Sequence, residues 1–458
     1  ELGCASGGNL VPMAESLAQS SCLGIDLSSR QIEDGNRFIA QTGLRNVSLR
    51  QASILDINES DGEFDYIVCH GVYSWVPRHV QAAILELCSK RLSPNGIAYI
   101  SYNTLPGWGM LGVLRDMMRF HASHFAEPAK QIEQSRALLK VLAAAVPSEE
   151  NPYGMLLNQV SEKVQKSADW YIYHEHLEED NDPVYFHQFN ARAEAVGLQF
   201  LGEAELLTMF SNQLPENVQA ALRGVSGNIV RSEQYMDFFR NRTFRETLLC
   251  RGGAQLKRKI DAERIRPLSF ASELAPRDGV IDLKPGVEVT FSAPGRGSVG
   301  VRDPIFKAAL GALREAWPRF VSTAELEGLA RKRLELGPAT TETTNAFVER
   351  LWNWFTHRLV QMSSVPAACV SLPSERPVGS VVARAQLAAG RAHLTNLLHS
   401  VVRVGTFEAR VLSLLDGSRD RRALGQALQG SEHAAEAAKV GRVDAALRQL
   451  AAAALLKA

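Results

Sequence analysis

The feature that most constrains this chain is an alternation of short apolar runs with amphipathic segments between Glu1 and Asn103. Such alternation is typical of α/β proteins, in which helices connect the parallel strands of one sheet. It predicts strands at 1–2, 22–26, 47–51, 64–69 and 97–103, with helices at about 9–19, 29–42 and 77–92. We therefore expect a Rossmann-like core whose last strand starts after the turn at Pro94-Asn95-Gly96.

The alternation stops after Asn103, and the following segment is mostly helical, with helices expected at 111–125 and 129–145. The core is assigned to residues 1–105 and the helical insertion to 106–186. The core sheet should resume at 187–252, with strands at 198–201 and 247–250. We expect the segments at 106–186 and 208–240 to cap the carboxyl edge of this sheet.

The second half of the chain follows a linker rich in charge and proline at 257–278. A predicted hairpin at 287–291 and 298–301 precedes two helices, which start at Asp303-Pro304 and at a capping box, Ser322-x-x-Glu325. Two helices and a two-stranded wing predict a winged-helix-like domain at 253–365. Residues 366–458 are expected to form a helical C-terminal domain that ends in an alanine-rich helix from Leu447 onward.

Composition narrows the class of protein. The 50 Lys and Arg residues balance the 50 Asp and Glu residues, so the chain lacks the basic footprint of a general nucleic-acid-binding protein. No apolar run approaches the ~18 residues of a membrane span. The six cysteines form no C-x-x-C pair, which argues against a metal site and predicts buried thiols in a cytoplasmic protein. Because the chain opens without methionine on a strand end, we expect that strand to begin before Glu1.

A glycine loop follows the first strand and points to a nucleotide-like ligand. Gly3 and Gly7 flank Ala5, and glycines between a strand and a helix let a ligand approach the backbone. Asp26 ends the next strand, where a carboxylate can accept hydrogen bonds from ribose hydroxyls. The dinucleotide fingerprint G-x-G-x-x-G is not matched, because Ala5 replaces its second glycine. Glu1 suits the ammonium group of S-adenosylmethionine (SAM), so the pattern favours a methyltransferase over an oxidoreductase.

The third strand leads into Ser53, whose side chain or backbone is a candidate for contact with the adenine amino group. Many methyltransferases carry an acid at this point, so Ser53 departs from the pattern, and nearby Asp56 has the alternative role of capping a turn. His70 is placed at the cofactor as well, with a hydrogen-bonded structural histidine as the alternative. The predicted cofactor residues are Glu1, Gly3, Ala5, Gly7, Asn9, Asp26, Leu27, Ser53, Ile54 and His70.

Several longer segments resemble the bacterial class I methyltransferases that carry a methyltransferase regulatory domain, a group that includes the rickettsial protein-lysine methyltransferases. The most specific are FDYIVCHGVYSWVP at 64–77 and ISYNTLPGW at 100–108, followed by HEHL at 174–177, PVYF at 183–186, QYMDF at 234–238 with Asn241-Arg242, and LLDGSRD at 414–420. The resemblance spans nearly the whole chain. It implies a class I methyltransferase fold, SAM as methyl donor and lysine side chains of surface proteins as acceptors.

Methylation of an amine requires its neutral form, which is about one in 10³ of free lysine at pH 7. A dry aromatic channel disfavours the ammonium form and lowers its pKa. Candidates for the walls of such a channel are Tyr73, Trp75, Tyr102 and Trp108, for each of which core packing is the alternative. Asn103, at the end of its strand, can accept a hydrogen bond from the amine. His174 and Glu175 are candidates for substrate contact from the cap, and we expect no metal there.

Other functions stay open at this point. The chain can instead be a small-molecule or natural-product N- or O-methyltransferase, or a regulatory protein that binds SAM. The expected partner is a protein substrate, envelope proteins included, rather than nucleic acid. The chain can also form a homodimer.

Overall fold

The computed structural model describes residues 1–212, 214–225, 227–295, 297–429 and 433–457. The chain divides into two compact units. The first unit comprises Glu1–Cys4, Gly24–Ser29 and Arg50–Leu256, and the second comprises Ala5–Leu23, Arg30–Leu49 and Lys257–Ala458.

The first hundred or so residues form the alternating elements that the sequence predicts. They are α1 (Leu10–Ser16), β1 (Cys22–Asp26), α2 (Ser29–Thr42), β2 (Val47–Gln51), β3 (Phe64–Cys69), α3 (Arg78–Arg91) and β4 (Leu92–Asn103). Strands β1, β2 and β3 have the predicted bounds, and β1 and β2 form a two-stranded sheet. The predicted turn lies inside β4, where the pairing with β3 jumps from Leu92 to Ile97.

The core sheet of the first unit has four strands in the order β3-β4-β6-β5, with β5 at Leu198–Glu203 and β6 at Phe244–Arg251. Strands β3 and β4 are parallel, whereas β6 is antiparallel to both β4 and β5. The prediction that the sheet resumes after an insertion is therefore confirmed. Leu2 forms a parallel bridge with Ile25, and its N–H donates to the Val68 carbonyl at 2.8 Å. Residues 1–2 thus lie between β1 and β3.

Five helices lie between β4 and β5: α4 (Gly107–Ala122), α5 (Pro128–Ala145), α6 (Pro152–Lys166), α7 (Asp169–Ile172) and α8 (Phe186–Ala195). Two more, α9 (Glu216–Val225) and α10 (Ile229–Arg240), lie between β5 and β6. A π-helical turn at Tyr173–Leu177 follows α7. Helix α4 starts at Gly107, earlier than predicted. A Cβ at Gly107 would lie 2.5 Å from the carbonyl oxygens of Asn241 and Arg242, so only glycine fits this close approach. Buried side chains from α4, α5 and α6 form one apolar core.

Residues 257–365 contain α11 (Ala262–Ile265), β7 (Ser269–Ala271), β8 (Ala275–Pro276), β9 (Val289–Ser292), β10 (Ser298–Val301), α12 (Pro304–Ala316), β11 (Val321–Ser322), α13 (Thr323–Arg333), α14 (Thr341–Thr356) and β12 (Gln361–Ser363). The hairpin β9–β10 and the cap of α12 by Asp303 are confirmed. Ser322 caps α13, but the Glu325 carboxylate pairs with Arg319 at 3.0 Å instead of closing the predicted capping box.

The remaining elements are β13 (Val378–Gly379), α15 (Val381–Ala388), β14 (Leu394–Thr395), β15 (Val401–Val402), α16 (Thr406–Ser413), α17 (Arg421–Gln429), α18 (Ala434–Ala437), α19 (Arg442–Ala452) and β16 (Leu456–Lys457). The prediction of a helix to the end of the chain is wrong. Helix α19 ends at Ala452, and β16 pairs antiparallel with β13, because Leu455 and Leu456 are fully buried there.

A buried carboxylate ties α1 to this last segment inside the second unit. Glu15 accepts hydrogen bonds from the Ser380 hydroxyl at 2.7 Å and from the Val381 N–H at 2.7 Å, and it pairs with Lys457 at 2.8 Å. An acidic group at a helix N-terminus is favourable, and here it caps α15. Across the described residues, no helix is long and apolar enough to span a membrane.

Candidate active site

Glu1 and Gly3 lie at the strand-like segment that opens the chain, and Asp26 is the last residue of β1. Gly3 has φ +69°, and a Cβ there would lie 2.5 Å from Val72 Cγ2, so the position requires glycine. The Asp26 carboxylate accepts a hydrogen bond from the Ser28 N–H at 2.9 Å. Burial, together with the charges of Glu1 and Asp26, raises the pKa of the Cys4 thiol to about 12. Both carboxylates therefore act on one point beside the strand ends.

The predicted adenine side follows β2. The Ser53 hydroxyl accepts from the Leu55 N–H at 3.2 Å, and the Ser53 N–H donates to the Asp56 carboxylate at 2.9 Å. Asp56 therefore caps a turn, which is the alternative role that the sequence left open. Ile54 is half-buried, and Leu27, directly after Asp26, is 72 % exposed. An apolar surface thus stands next to the carboxylate that is expected to bind ribose.

His70 follows β3 and is exposed. Its Nδ1 lies 3.0 Å from the Tyr99 hydroxyl, which donates to the Glu246 carboxylate at 2.6 Å. The His70 ring also packs edge-on against Phe244. These contacts fix the ring, and its contact with the cofactor stays a prediction.

The rest of the glycine loop belongs to the second unit. Ala5 has φ +46° and Gly7 has φ +75°. A Cβ at Gly7 would lie 3.1 Å from Val11 and 3.2 Å from Leu49, so the loop packs tightly at this position. Asn9 precedes α1 and is exposed. The roles of Ala5, Gly7 and Asn9 at the cofactor stay predictions.

Asn103, at the carboxyl end of β4, is 4 % exposed, and hydrogen bonds fix its backbone and its side-chain amide. Its N–H donates to the Ser74 hydroxyl at 2.8 Å, and its carbonyl accepts from the Val184 N–H at 3.2 Å. Its Nδ2 donates to the Asn181 side-chain oxygen at 3.2 Å. Asn181 was not predicted as a site residue. The sequence around it, Asn181-Asp182-Pro183, indicates only a turn.

Three of the predicted acceptor residues meet in one ring cluster. The Trp75 ring lies 4.7 Å from the His174 ring and 6.3 Å from the Trp108 ring, measured between centroids. Trp75 and His174 are half-buried, whereas Trp108 is buried. Burial raises the pKa of the adjacent Glu175 carboxyl, although the positive charges of Lys163, His174 and Arg115 lower it.

Tyr73 and Tyr102 pack in a second, buried aromatic group with Phe189. The Tyr102 ring stacks on Phe189 at 4.1 Å, and the Tyr73 ring meets Phe189 edge-on at 5.2 Å. The Tyr102 hydroxyl lies 3.1 Å from the Thr247 hydroxyl. Both tyrosines are at most 1 % exposed and pack in the core, and their contact with an acceptor stays a prediction.

A buried ionic cluster lies next to this aromatic group, and it was not predicted from the sequence. Arg245, with no exposed surface, contacts the carboxylates of Glu203 at 2.7 Å, Asp237 at 2.9 Å and Glu233 at 3.2 Å. Thr247 donates to Glu203 at 2.8 Å. The cluster therefore connects Tyr102, through Thr247, to helix α10.

Comparison with sequence families finds three matching regions. Residues 1–96 match a family described as a methyltransferase domain. Residues 168–251 match a predicted methyltransferase regulatory domain, which contains His174, Asn181 and the ionic cluster. Residues 375–455 match a family described as the PKMT C-terminal winged helix domain.

Similar whole chains come from Rickettsia. The protein RP789 of Rickettsia prowazekii is 35 % identical over 445 residues, which covers 94 % of this chain and 78 % of that protein. The solved structure of PKMT2 from Rickettsia typhi is 31 % identical, with a TM-score of 0.86, and covers 99 % of this chain and 93 % of that chain. The same PKMT2 structure has been solved in complex with AdoHcy, with the same identity, coverage and TM-score.

Proposed function

This chain belongs to the family of bacterial SAM-dependent class I methyltransferases that includes PKMT2 of Rickettsia typhi, and from that premise we propose that it N-methylates lysine side chains of protein substrates. Methyl transfer from SAM follows from the methyltransferase domain and from the related structure with AdoHcy. The identity of the acceptor is the proposal.

The strand ends of the first unit fit SAM by the chemistry of their side chains. The Glu1 carboxylate suits the ammonium group of its methionine part, and the Asp26 carboxylate suits the ribose hydroxyls. Leu27 and Ile54 offer apolar surface to the adenine, and Ser53 and His70 are the polar candidates beside them. When bound, SAM would supply the methyl group of its positive sulfonium to a nucleophile placed at about 3–3.5 Å, with AdoHcy as the leaving group.

The chain's own residues must then deliver a neutral amine. The half-buried Trp75 ring against His174 offers a partly dry wall that disfavours an ammonium group. Asn103 accepts an N–H of the amine and so points the nitrogen lone pair away from itself. Glu175, whose pKa burial raises, is the candidate acceptor of the proton that the methylated nitrogen releases. Tyr73 and Tyr102, which pack against Phe189, are the remaining aromatic candidates for the channel.

The observation that supports the acceptor proposal best is the position of Asn103. It is almost fully buried at the carboxyl end of β4, the edge at which parallel α/β sheets bind ligands. A polar side chain in that position is expected to have a partner in the reaction. The strong overall similarity to PKMT2 favours a protein lysine as that partner.

The proposal is tested with the full chain, methyl-labelled SAM and an envelope extract of the cells that produce the protein, followed by hydrolysis and amino-acid analysis. Label in methyl-lysine supports it. Label only in small molecules would move the acceptor to that class, and binding of SAM without any transfer would favour a regulatory role. A cytoplasmic location and a homodimer stay predictions, to be tested by cell fractionation and light scattering.

A further inference from the structure

The segment before α8 is bound tightly to the end of β4. The Val184 N–H donates to the Asn103 carbonyl at 3.2 Å, and the Leu105 N–H donates to the Val184 carbonyl at 3.2 Å. On the other side, the Asp182 N–H donates to the Ser74 carbonyl at 2.9 Å. Asn181 therefore stands on backbone that is fixed relative to Asn103.

We propose that Asn181 is a positioning residue that sets the orientation of the Asn103 carboxamide for the acceptor amine. A carboxamide has a donating end and an accepting end. Asn103 Nδ2 donates to Asn181 Oδ1, so the opposite end of the group, Oδ1, is the end that can accept. Among the described residues, Asn103 Oδ1 has no hydrogen-bond partner, and it is not one of the fully buried unpaired atoms, so the small exposed part of the residue leaves this oxygen accessible.

Because this oxygen keeps some solvent access, a ligand can donate a hydrogen bond to it. The N–H of a neutral amine is such a ligand, and this step rests on the proposed lysine acceptor. If Asn181 is lost, the Asn103 carboxamide loses the only hydrogen bond that its side chain makes to a described residue, and its two ends can interchange. The rotated population would then present an N–H to the amine, which repels the N–H of the nucleophile.

Ionisable residues flank Asn181 in the chain, and they affect the design of the test. Asp182 pairs with Arg78 at 3.3 Å, and His174 lies 4.0 Å from the Glu178 carboxylate. Burial raises the pKa of Glu175, which follows His174 in the chain. The Asn181→Leu variant changes none of these charges, whereas Asn181→Asp adds one and keeps an oxygen that accepts from Asn103.

The experiment measures turnover against pH for the full chain and both variants, with an acceptor that the unchanged enzyme methylates. For Asn181→Leu we expect kcat to fall about five- to tenfold at every pH, the magnitude of one lost hydrogen bond, with KM for SAM, calorimetric affinity for AdoHcy and Tm close to those of the unchanged chain. For Asn181→Asp we expect kcat to be regained at high pH, with its rising limb shifted upward, because a carboxylate stabilises the ammonium form.

Asn158→Leu is the matched control, since within the described part of the chain Asn158 Nδ2 bonds only the Gly154 carbonyl of its own helix. Equal losses of kcat in Asn181→Leu and Asn158→Leu, or an Asn181→Leu variant that loses AdoHcy affinity and Tm together with kcat, would overturn the positioning role. If the unchanged enzyme methylates only a small-molecule acceptor, the proposed function fails, and the same series on that acceptor still decides the role of Asn181.

Discussion

Arg245 and Asp237 form a two-pronged ion pair with no exposed surface: Arg245 Nε lies 2.9 Å from one carboxylate oxygen and Nη2 lies 2.9 Å from the other. Glu203 on β5 and Glu233 on α10 complete the coordination of the same guanidinium. The guanidinium also lies over the Phe186 ring, 3.9 Å from its centroid. The Arg245 guanidinium therefore connects β5, β6, α8 and α10 next to the aromatic group that contains Tyr102.

We expect Arg245→Met to lower the free energy of unfolding by about 3–5 kcal/mol. Glu233 loses its buried cation, and Glu203 and Asp237 keep only their pairs with Arg242. Urea denaturation of the full chain, with the transition of the first unit followed separately, measures the loss. Arg302→Met is the matched control: its pair with Glu288 at 3.1 Å is largely exposed and should contribute less than about 1 kcal/mol. Similar losses for both variants would contradict a structural role for the buried cluster.

The same cluster makes stability depend on pH. Burial raises the pKa of Glu233 to about 7, against the lowering effect of Arg245. The folded chain therefore holds a proton that the unfolded chain releases, so this contribution is complete below pH about 4.5 and is lost as the pH rises to about 7. We expect the unfolding free energy of the unchanged chain to fall by about 1–3 kcal/mol relative to Glu233→Gln between pH 5 and pH 8. Parallel pH profiles would contradict this assignment.

Local patterns were enough to find the elements that carry the site. Strands β1, β2 and β3 are short apolar runs between turn residues, and their bounds were predicted to the residue. The start of α4 was placed four residues too late, at 111, because the contact of Gly107 with the carbonyls of Asn241 and Arg242 is a tertiary feature that local spacing does not show. Likewise, alanine content predicted a helix where burial of Leu455 and Leu456 favours a strand.

Long-range partners could not be found in this way. Asn181 lies 78 residues from Asn103, and Glu203 lies 42 residues from Arg245, so no local spacing relates them. The sequence offered Tyr102 and Asn103 together as acceptor contacts. Because alternate residues of a strand face opposite sides, the structure separates them: Tyr102 bonds Thr247 in the core, and Asn103 bonds Asn181.

That separation predicts different effects for the two residues. Asn103→Ala should lower kcat about tenfold or more with AdoHcy affinity unchanged, because its carboxamide acts on the acceptor. Tyr102→Phe keeps the ring on Phe189 and removes one hydrogen bond, so we expect a loss of about 0.5–1.5 kcal/mol in stability and nearly unchanged kcat. Steady-state kinetics, calorimetry and denaturation separate these effects, and equal loss of kcat and AdoHcy affinity in Asn103→Ala would assign Asn103 to the cofactor.

Asp26 provides the corresponding test of the cofactor side. We expect Asp26→Ala to weaken binding of SAM about a hundredfold or more, since two charge-assisted hydrogen bonds to ribose are lost. Isothermal calorimetry with SAM and AdoHcy measures the change. Asp34→Ala, which removes a carboxylate paired only with Arg37 on the surface of α2, should bind both ligands normally. Unchanged affinity in Asp26→Ala would remove Asp26 from the cofactor site.

The central claim is that the acceptor is a protein lysine, and the most direct measurement is methyl-lysine itself. The full chain, Asp26→Ala and Asn103→Ala are incubated in parallel with methyl-labelled SAM and an envelope extract, and the hydrolysed protein is analysed for methylated amino acids. We predict label in methyl-lysine with the unchanged chain, none above background with Asp26→Ala, and a rate at least tenfold lower with Asn103→Ala. Label found in other residues or only in small molecules, and sensitive to the same two substitutions, would contradict the claim while leaving the methyltransferase site in place.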